Sequence, residues 1–473
     1  MRLLFYTVLL FGFVTSKLLA QVERHPYPTA AQLAWHNTEF YLFFHFGPNT
    51  FTNLEWGQGT EIEDLFNPTA LDCDQWCSIA KQAGAKGVII TAKHHDGFCL
   101  WPSQYSKHTV RESKWRNGQG DVLQELADAA RRHGLKLGLY LSPWDRNHPQ
   151  YGSPEYNDIY ANTLTELLSS YGELFEIWWD GANGEGPNGK RQVYDFHRFE
   201  KIAAQLQPNA VIFSDIGPGC RWAGNEQGLI LTETNWCTLD TIGFHRGAGG
   251  PPQDTLNHGN ENGANWIPAE CDVSIRPGWF YHAEEDGKVK NPDQLWDIYL
   301  RSVGQGANLI LNVPPDQRGL INARDSASLV AFGNKLRNGF DKNLLHGRKR
   351  EPIGTRGTFA PRRRIGEVND GDKDTYETVS FDRVIGPVLQ FDLRRKKRFN
   401  TVVLREYIAT GQQIQAFKIE VKRGKKWHEI AQSKTIGARK IITFPTLKAR
   451  RVRVTILKAK SEPRLSEVEI YKI

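Results

Sequence analysis

A carboxylate followed by glycine closes the apolar run Phe175-Glu176-Ile177-Trp178-Trp179-Asp180-Gly181. The run has the β-prone composition of a buried strand, and such a strand would lift Asp180 to the mouth of a pocket. An Asp-Gly pair after apolar residues is also an ordinary turn signal. Other chemistry-bearing residues stand at the ends of similar runs: His45, the pair His94-His95, and Tyr140, with Glu55, Trp56 and Trp144 in the loop-like sequence that follows. Neighbouring side chains diverge in extended backbone, so His94 and His95 are poorly placed to bind one metal ion unaided. They read as hydrogen-bond partners for substrate hydroxyls, against metal ligation or plain packing, and no metal or cofactor is expected. Two carboxylates on either side of a glycosidic bond are the equipment of glycoside hydrolysis, one as nucleophile and one as general acid. Asp180 suits the nucleophile, at a rigid strand end between aromatic walls. Acidic residues after the fifth strand, beginning with Asp215, belong to the same pocket. For the second carboxylate Glu226, Glu233 and Glu270 all lie on a loop-rich stretch, and spacing does not rank them.

Positioning these residues requires strand ends that converge. Apolar strands are expected at 40–46, 87–91, 135–141, 175–180, 210–214 and 308–313. Amphipathic helices are expected at about 74–84, 122–133, 156–171, 192–205 and 295–303. Short continuous apolar strands alternating with helices call for a parallel sheet. Polar and aromatic residues cluster at several successive strand ends, which suits an irregular (β/α)8 barrel better than an open sheet with one switch point. Eight clean units cannot be counted: the stretch 217–287 is rich in Gly, Asn and Pro and reads as long loops replacing helices.

Composition divides the chain further. The 473 residues carry a formal charge of +7, yet the part from Asn343 onward is strongly basic and the rest is net acidic. The basic part changes period, with short alternating segments at 388–393, 401–406, 417–422, 440–444, 451–456 and 467–471, the pattern of a β-sandwich. Its basic runs, Arg394 to Arg398 and Lys422 to Lys426, would suit nucleic acid in isolation. Solvated strand faces and docking onto the acidic half are preferred, and no nucleic-acid partner is expected. At the other end, Met1-Arg2, an apolar run at 3–14 and a cleavage region before Gln21 form a signal peptide, so export to the periplasm or cell exterior is expected. That run is too short to span a membrane, and no insertion is expected after its removal. The expected organisation is a signal peptide at 1–20, a barrel at 21–342 and a sandwich at 343–473, joined by a linker within 338–361. Six cysteines follow no tight framework, and Cys73 and Cys77, one helical turn apart, read as small core residues.

Five segments together carry a family resemblance: Phe44-His45-Phe46-Gly47, Leu54-Glu55-Trp56-Gly57, Lys93-His94-His95-Asp96-Gly97-Phe98, Trp178-Trp179-Asp180-Gly181 and Leu311-Asn312-Val313-Pro314-Pro315-Asp316. Over about residues 30 to 340 the chain resembles the α-L-fucosidases of glycoside hydrolase family 29. Gln119-Gly120-Asp121, Ser142 to Arg146 and Arg221-Trp222-Ala223-Gly224-Asn225-Glu226 resemble the branch selective for α-1,3/1,4-linked fucose in Lewis-type glycans. The C-terminal part, through Phe399-Asn400 and Val402 to Glu406, is similar to the family's discoidin-like β-sandwich. The resemblance implies a retaining exo-enzyme acting on fucosylated oligosaccharides or glycoconjugates, with Asp180 as nucleophile and Glu226 as acid/base. It further implies that His45, His94, His95 and Tyr140 hold fucose hydroxyls, that Glu55 and Trp56 support them, and that Trp279 lines the pocket. The competing readings are a fucosidase of broad linkage specificity, a galactosidase on the same barrel, and a sugar-binding protein that has lost catalysis.

Overall fold

The computed structural model describes residues 26–247, 249–346, 368–379 and 388–473. The expected signal peptide and the greater part of the expected linker lie outside these residues. Eight parallel strands close into a barrel in chain order: β1 (Phe40–Phe44), β2 (Gly87–Lys93), β3 (Lys136–Leu141), β4 (Leu174–Trp178), β5 (Val211–Ser214), β6 (Cys220–Trp222), β7 (Ala269–Ser274) and β8 (Asn308–Asn312). β8 pairs back onto β1. A short helix α1 (Ala30–His36) precedes the barrel. Helices α2 (Cys73–Ala83), α3 (Val122–His133), α4 (Tyr156–Ser170), α5 (Phe196–Leu206), α6 (Pro292–Arg301) and α7 (Ala323–Phe340) follow. Local chemistry marks their ends: the Asp72 and Asp121 carboxylates accept the backbone N–H groups of Gln75 and Gln124, while Gly84 and Gly134 terminate α2 and α3 in the left-handed region.

Period-2 alternation divides every strand between two environments. Leu42, Phe44, Val88, Ile90, Leu139, Ile177 and Leu311 join the helix residues Trp76, Leu126, Leu164 and Leu329 in the main core. Tyr41, Phe43, Ile89, Tyr140, Trp178, Phe213, Cys220 and Ile310 form a separate cluster inside the barrel. On β4 this alternation sends Trp179 outward and Trp178 inward, so Asp180, two residues on, continues the inward row.

Two strands, β6 and β7, fall within the stretch expected to be loops. β6 has only three residues. The inward positions of β7 are Glu270, Asp272 and Ser274, so its sequence lacks the apolar run by which the other strands are read. The expectation of loops replacing helices holds on both sides of β6. Only 215–219 join β5 to β6, and 223–268 make a long excursion that holds, among the described residues, one short helix, Gln253–His258, and a two-stranded ribbon.

The C-terminal domain is an antiparallel sheet of β9 (Glu377–Thr378), β10 (Val388–Glu406), β11 (Ile414–Arg423), β12 (Lys426–Ser433), β13 (Lys440–Ala459) and β14 (Arg464–Tyr471), in the order β9-β14-β10-β13-β11-β12. Segments 388–393 and 401–406 are the two halves of β10, and 440–444 and 451–456 those of β13. Register shifts between Asp392 and Lys397 and between Phe399 and Thr401 divide them, with Arg394 in the left-handed region at φ +64°. Phe391, Phe399, Leu404, Phe417, Val454 and Val468 form the core of this domain.

The domain docks on the barrel. Val403, Ile441 and Tyr471 join the main core. Glu39, immediately before β1, takes Arg405 at 2.8 Å and Arg439 at 3.0 Å. The basic runs Arg394 to Lys396 and Arg423 to Lys426 instead face solvent, so the charges at the seam come from single residues of the strands rather than from the runs. All six cysteines are buried free thiols, with Cys73 and Cys77 in the main core. Among the described residues no helix is long and apolar enough to cross a membrane.

Candidate active site

Asp180 lies just beyond β4 at the C-terminal mouth of the barrel, its side chain 28% exposed. The Tyr140 hydroxyl donates to its Oδ2 at 3.2 Å, and the Ala182 N–H donates to its Oδ1 at 2.7 Å. His95 Nε2 stands 3.9 Å from Oδ2. The carboxylate is thus fixed from two sides and still open to solvent. A side chain at Gly181 would collide with both carboxylate oxygens of Asp215, so a second carboxyl group lies against the backbone that carries Asp180. Burial, and then the charge of Asp180, push the Asp215 carboxyl up to about 6.

The histidines form one wall. His45, following β1, shares a hydrogen bond of 2.8 Å between its Nδ1 and Asn312 Oδ1, and its ring meets Trp279 at 5.1 Å. His94 and His95, following β2, have ring centroids 4.1 Å apart, and the His94 ring lies within 16° of parallel to Tyr140. His95 Nδ1 pairs with Ser142 Oγ at 2.8 Å, and its other face packs on Trp144. Burial lowers all three: His45 to about 3, His95 to about 4 against the opposing pull of Asp180, and His94 well below the usual range. Neutral imidazoles result, each with one donor and one acceptor nitrogen, which suits reading sugar hydroxyls.

Glu55 and Trp279 belong together. The Glu55 carboxylate accepts the N–H of Trp279 at 2.8 Å and of Phe280 at 3.3 Å, and it meets His282 Nε2 at 2.5 Å. On the other side, Asn312 Nδ2 donates to the Trp279 carbonyl at 2.7 Å. Trp56 is half exposed and stands edge-on to His95 and Trp144, forming an open aromatic rim. Behind the site, the buried ion pair between Lys93 and Asp145, at 2.8 Å, ties the end of β2 to the loop after β3.

The three candidates for a second carboxylate separate cleanly. Glu270 is fully buried at the second position of β7, at the end of the strand away from the mouth. Glu233 is exposed at the seam with the C-terminal domain, where its carbonyl accepts Lys440 Nζ at 2.9 Å. Glu226 is exposed on the loop after β6, and its charge, next after burial, raises the Asp272 carboxyl on β7. Asp272 in turn accepts the Trp222 indole at 2.9 Å.

A mouth lined by carboxylates, neutral histidines and aromatic rings is the outfit of a glycosidase, and the similarities of the chain agree. The α-L-fucosidase family model matches residues 27–339, and a NedA-like galactose-binding domain model matches 367–454. The chain belongs to the α-L-fucosidases of glycoside hydrolase family 29. It is 41% identical over 450 residues to α-L-fucosidase 1 of Arabidopsis thaliana, covering 94% of this chain and 87% of that one. A glycoside hydrolase 29 family member from a rumen bacterium superposes with a TM-score of 0.82 at 39% identity, covering 95% of this chain and 78% of that one. A Ruminococcus gnavus GH29 fucosidase in complex with fucose gives 0.83 at 29% identity, covering 94% and 95%.

In this fucosidase the mouth of the barrel gathers His45, His94, His95, Tyr140 and Asp180, with Trp56, Glu55 and Trp279 around them. The sequence by itself assigns no role to His282 or Asp272, and Asn312 stands out there only inside the motif Leu311 to Asp316. Asn312 joins His45, Ser274 Oγ and the Trp279 carbonyl. The signal for Asn312 was a polar residue at the end of the apolar β8. For Asp272 the signal was an acidic alternation that does not look like a strand.

Proposed function

We propose that this α-L-fucosidase is a retaining exo-enzyme that removes terminal α-1,3/1,4-linked L-fucose from branched, Lewis-type glycans by double displacement. Asp180 attacks the anomeric carbon while Glu226, protonated, donates to the departing oxygen; Glu226 then deprotonates the water that releases fucose. His45, His94, His95 and Tyr140 hold the sugar hydroxyls, and the aromatic surroundings receive the C6 methyl. A pocket that hydrogen-bonds hydroxyls discriminates more strongly than an apolar one.

The observation that carries this reading is the state of Asp180, gripped at both oxygens yet open at the mouth. Glu226 is favoured as its partner because, of the three candidates, it alone is an exposed residue just past a strand end. Support for the linkage comes from the segment Arg221 to Glu226. The chain is further proposed to be exported, with residues 1–20 removed; the intact mass of the exported protein should begin near Gln21. The linkage test is incubation of the purified enzyme with Lewis a, Lewis x, blood-group H and aryl fucosides. Fucose is expected from the Lewis sugars and not from H. Cleavage of H but not of the Lewis sugars would overturn the linkage.

A further inference from the structure

Below the mouth, the barrel interior holds two acids that the reaction does not use. Glu176 on β4 and Glu270 on β7 are fully buried, and their ligand atoms and that of Cys220 on β6 lie within 4.8 Å of one another. Two ionised carboxylates at that spacing in a dry interior repel too strongly to coexist. The surrounding donors differ between them. Glu270 accepts the Trp178 indole at 2.8 Å and, on its other oxygen, the Tyr41 hydroxyl. Glu176 accepts the Trp35 indole at 2.9 Å, with Cys220 Sγ 3.8 Å from its second oxygen. The better-served member is Glu270, which makes it the anion and leaves Glu176 as the acid that donates to it. Burial, and then the charge of Glu270, raise Glu176 well above the usual range.

Trp178 links this pair to the mouth. Its indole N–H is spent on Glu270, and its ring stacks on Phe213 at 3.8 Å and on Tyr140 at 5.3 Å. Tyr140 and Trp178 are register partners on β3 and β4, and the Tyr140 hydroxyl donates to Asp180. A Trp178 ring released from Glu270 would free the surface against which Tyr140 is held.

We propose that Glu176 and Glu270 share one proton inside the barrel and act, through Trp178 and Tyr140, as positioning residues for Asp180. The inference rests on the reading of Asp180 as nucleophile. The same three side chains could hold a divalent cation, but two indole N–H groups and a phenol O–H already direct hydrogens at those carboxylate oxygens, which suits a proton.

The test uses the full-length enzyme. Glu270→Gln removes the anion and should lower kcat for an aryl fucoside by about tenfold to a hundredfold, with KM changing by less than about threefold. Glu176→Leu should also lower kcat, and Glu176→Gln, which keeps a donor facing Glu270, should recover most of the loss. In a Tyr140→Phe background the Glu270→Gln effect should shrink to less than about threefold, since both changes act on one relay. The stability readout follows from the same proton. Glu176 binds it in the folded state and not in the unfolded chain at neutral pH, so wild-type stability falls as pH rises above the usual carboxylate range. Glu176→Gln should flatten that fall. Tyr41, Cys220 and Glu270 face the same proton and remain in that variant. Independent, multiplicative effects of Glu270→Gln and Tyr140→Phe would overturn the relay. Tolerance of Glu270→Gln with damage from Glu176→Gln, or one equivalent of divalent metal in the purified enzyme that is lost in Cys220→Ser, would overturn the shared proton. Full activity of Asp180→Ala would sink the reading of the nucleophile while leaving the stability comparison intact, so the two failures are distinguishable.

Discussion

Asp215 is the residue whose titration reports most directly on Asp180. Its carboxyl is raised from the usual 3.8 to about 6 by burial and then by the neighbouring charge of Asp180, so it keeps its proton to higher pH than an ordinary aspartic acid. A carboxyl raised on folding stabilises the protein below its unfolded value, and that stability is lost as pH climbs through the folded one. Asp215→Asn should therefore gain stability relative to wild type between about pH 4 and 6, read as the pH dependence of Tm. It should also remove an ionisation near 6 from the pH–rate profile. Asp180→Asn should shift the Asp215 titration downward, visible by NMR of the labelled carboxyl; an unmoved titration would mean that Asp180 does not act on it. The histidines behave oppositely. Held neutral by burial, they destabilise the fold as pH falls below about 6.5, where the unfolded chain takes up protons that the folded site refuses.

At the scale of elements, the site depends on strand ends that present residues and on one loop that must be held against them. Glu55 fastens that loop by hydrogen bonds to Trp279, Phe280 and His282. Glu55→Ala should raise KM for an aryl fucoside about tenfold with a smaller change in kcat, the equivalent of one charge-assisted hydrogen bond. An unchanged KM would mean that the loop stands without it. Six of the eight strands were legible because their outward faces are continuous aliphatic or aromatic sequence, and so were His45, the His94-His95 pair and Asp180 at their ends. β6 and β7 were not. Three residues carry too little period, and the buried acids Glu270 and Asp272 disguise a core strand as a polar loop. For the same reason Glu270 looked available for catalysis, whereas the register puts it deep in the barrel. The joined halves of β10 and β13 look like separate strands in the sequence because the bulges between them carry charge, which there resembles a turn.

For the whole molecule, Glu39 ties the barrel to the C-terminal domain through two ion pairs, with Arg405 and Arg439. Burial alone would raise its carboxyl, but Arg439, Arg405 and Lys86 outweigh that and hold it well below the usual range. A depressed carboxyl contributes stability above its unfolded value and loses it as pH falls. Glu39→Gln should cost about 3 kcal/mol at neutral pH, because it takes from Arg405 and Arg439 the carboxylate they share at a packed seam. The difference from wild type should begin to narrow as pH falls below about 4.5 and close only in much stronger acid, followed by thermal unfolding. A variant as stable as wild type at pH 7 would show that the apolar contacts of Val403, Ile441 and Tyr471 suffice.

In the proposed mechanism Asp180 becomes covalently fucosylated. The most direct measurement is to trap the enzyme with a 2-deoxy-2-fluoro-fucosyl donor bearing an activated leaving group, digest it, and locate the added mass. One sugar per chain is expected from that mechanism, on the peptide carrying Asp180, with Glu226→Ala still labelled and Asp180→Ala not. An adduct on Asp215 or Glu226, or turnover of the substrate with inverted configuration and no adduct, would contradict it.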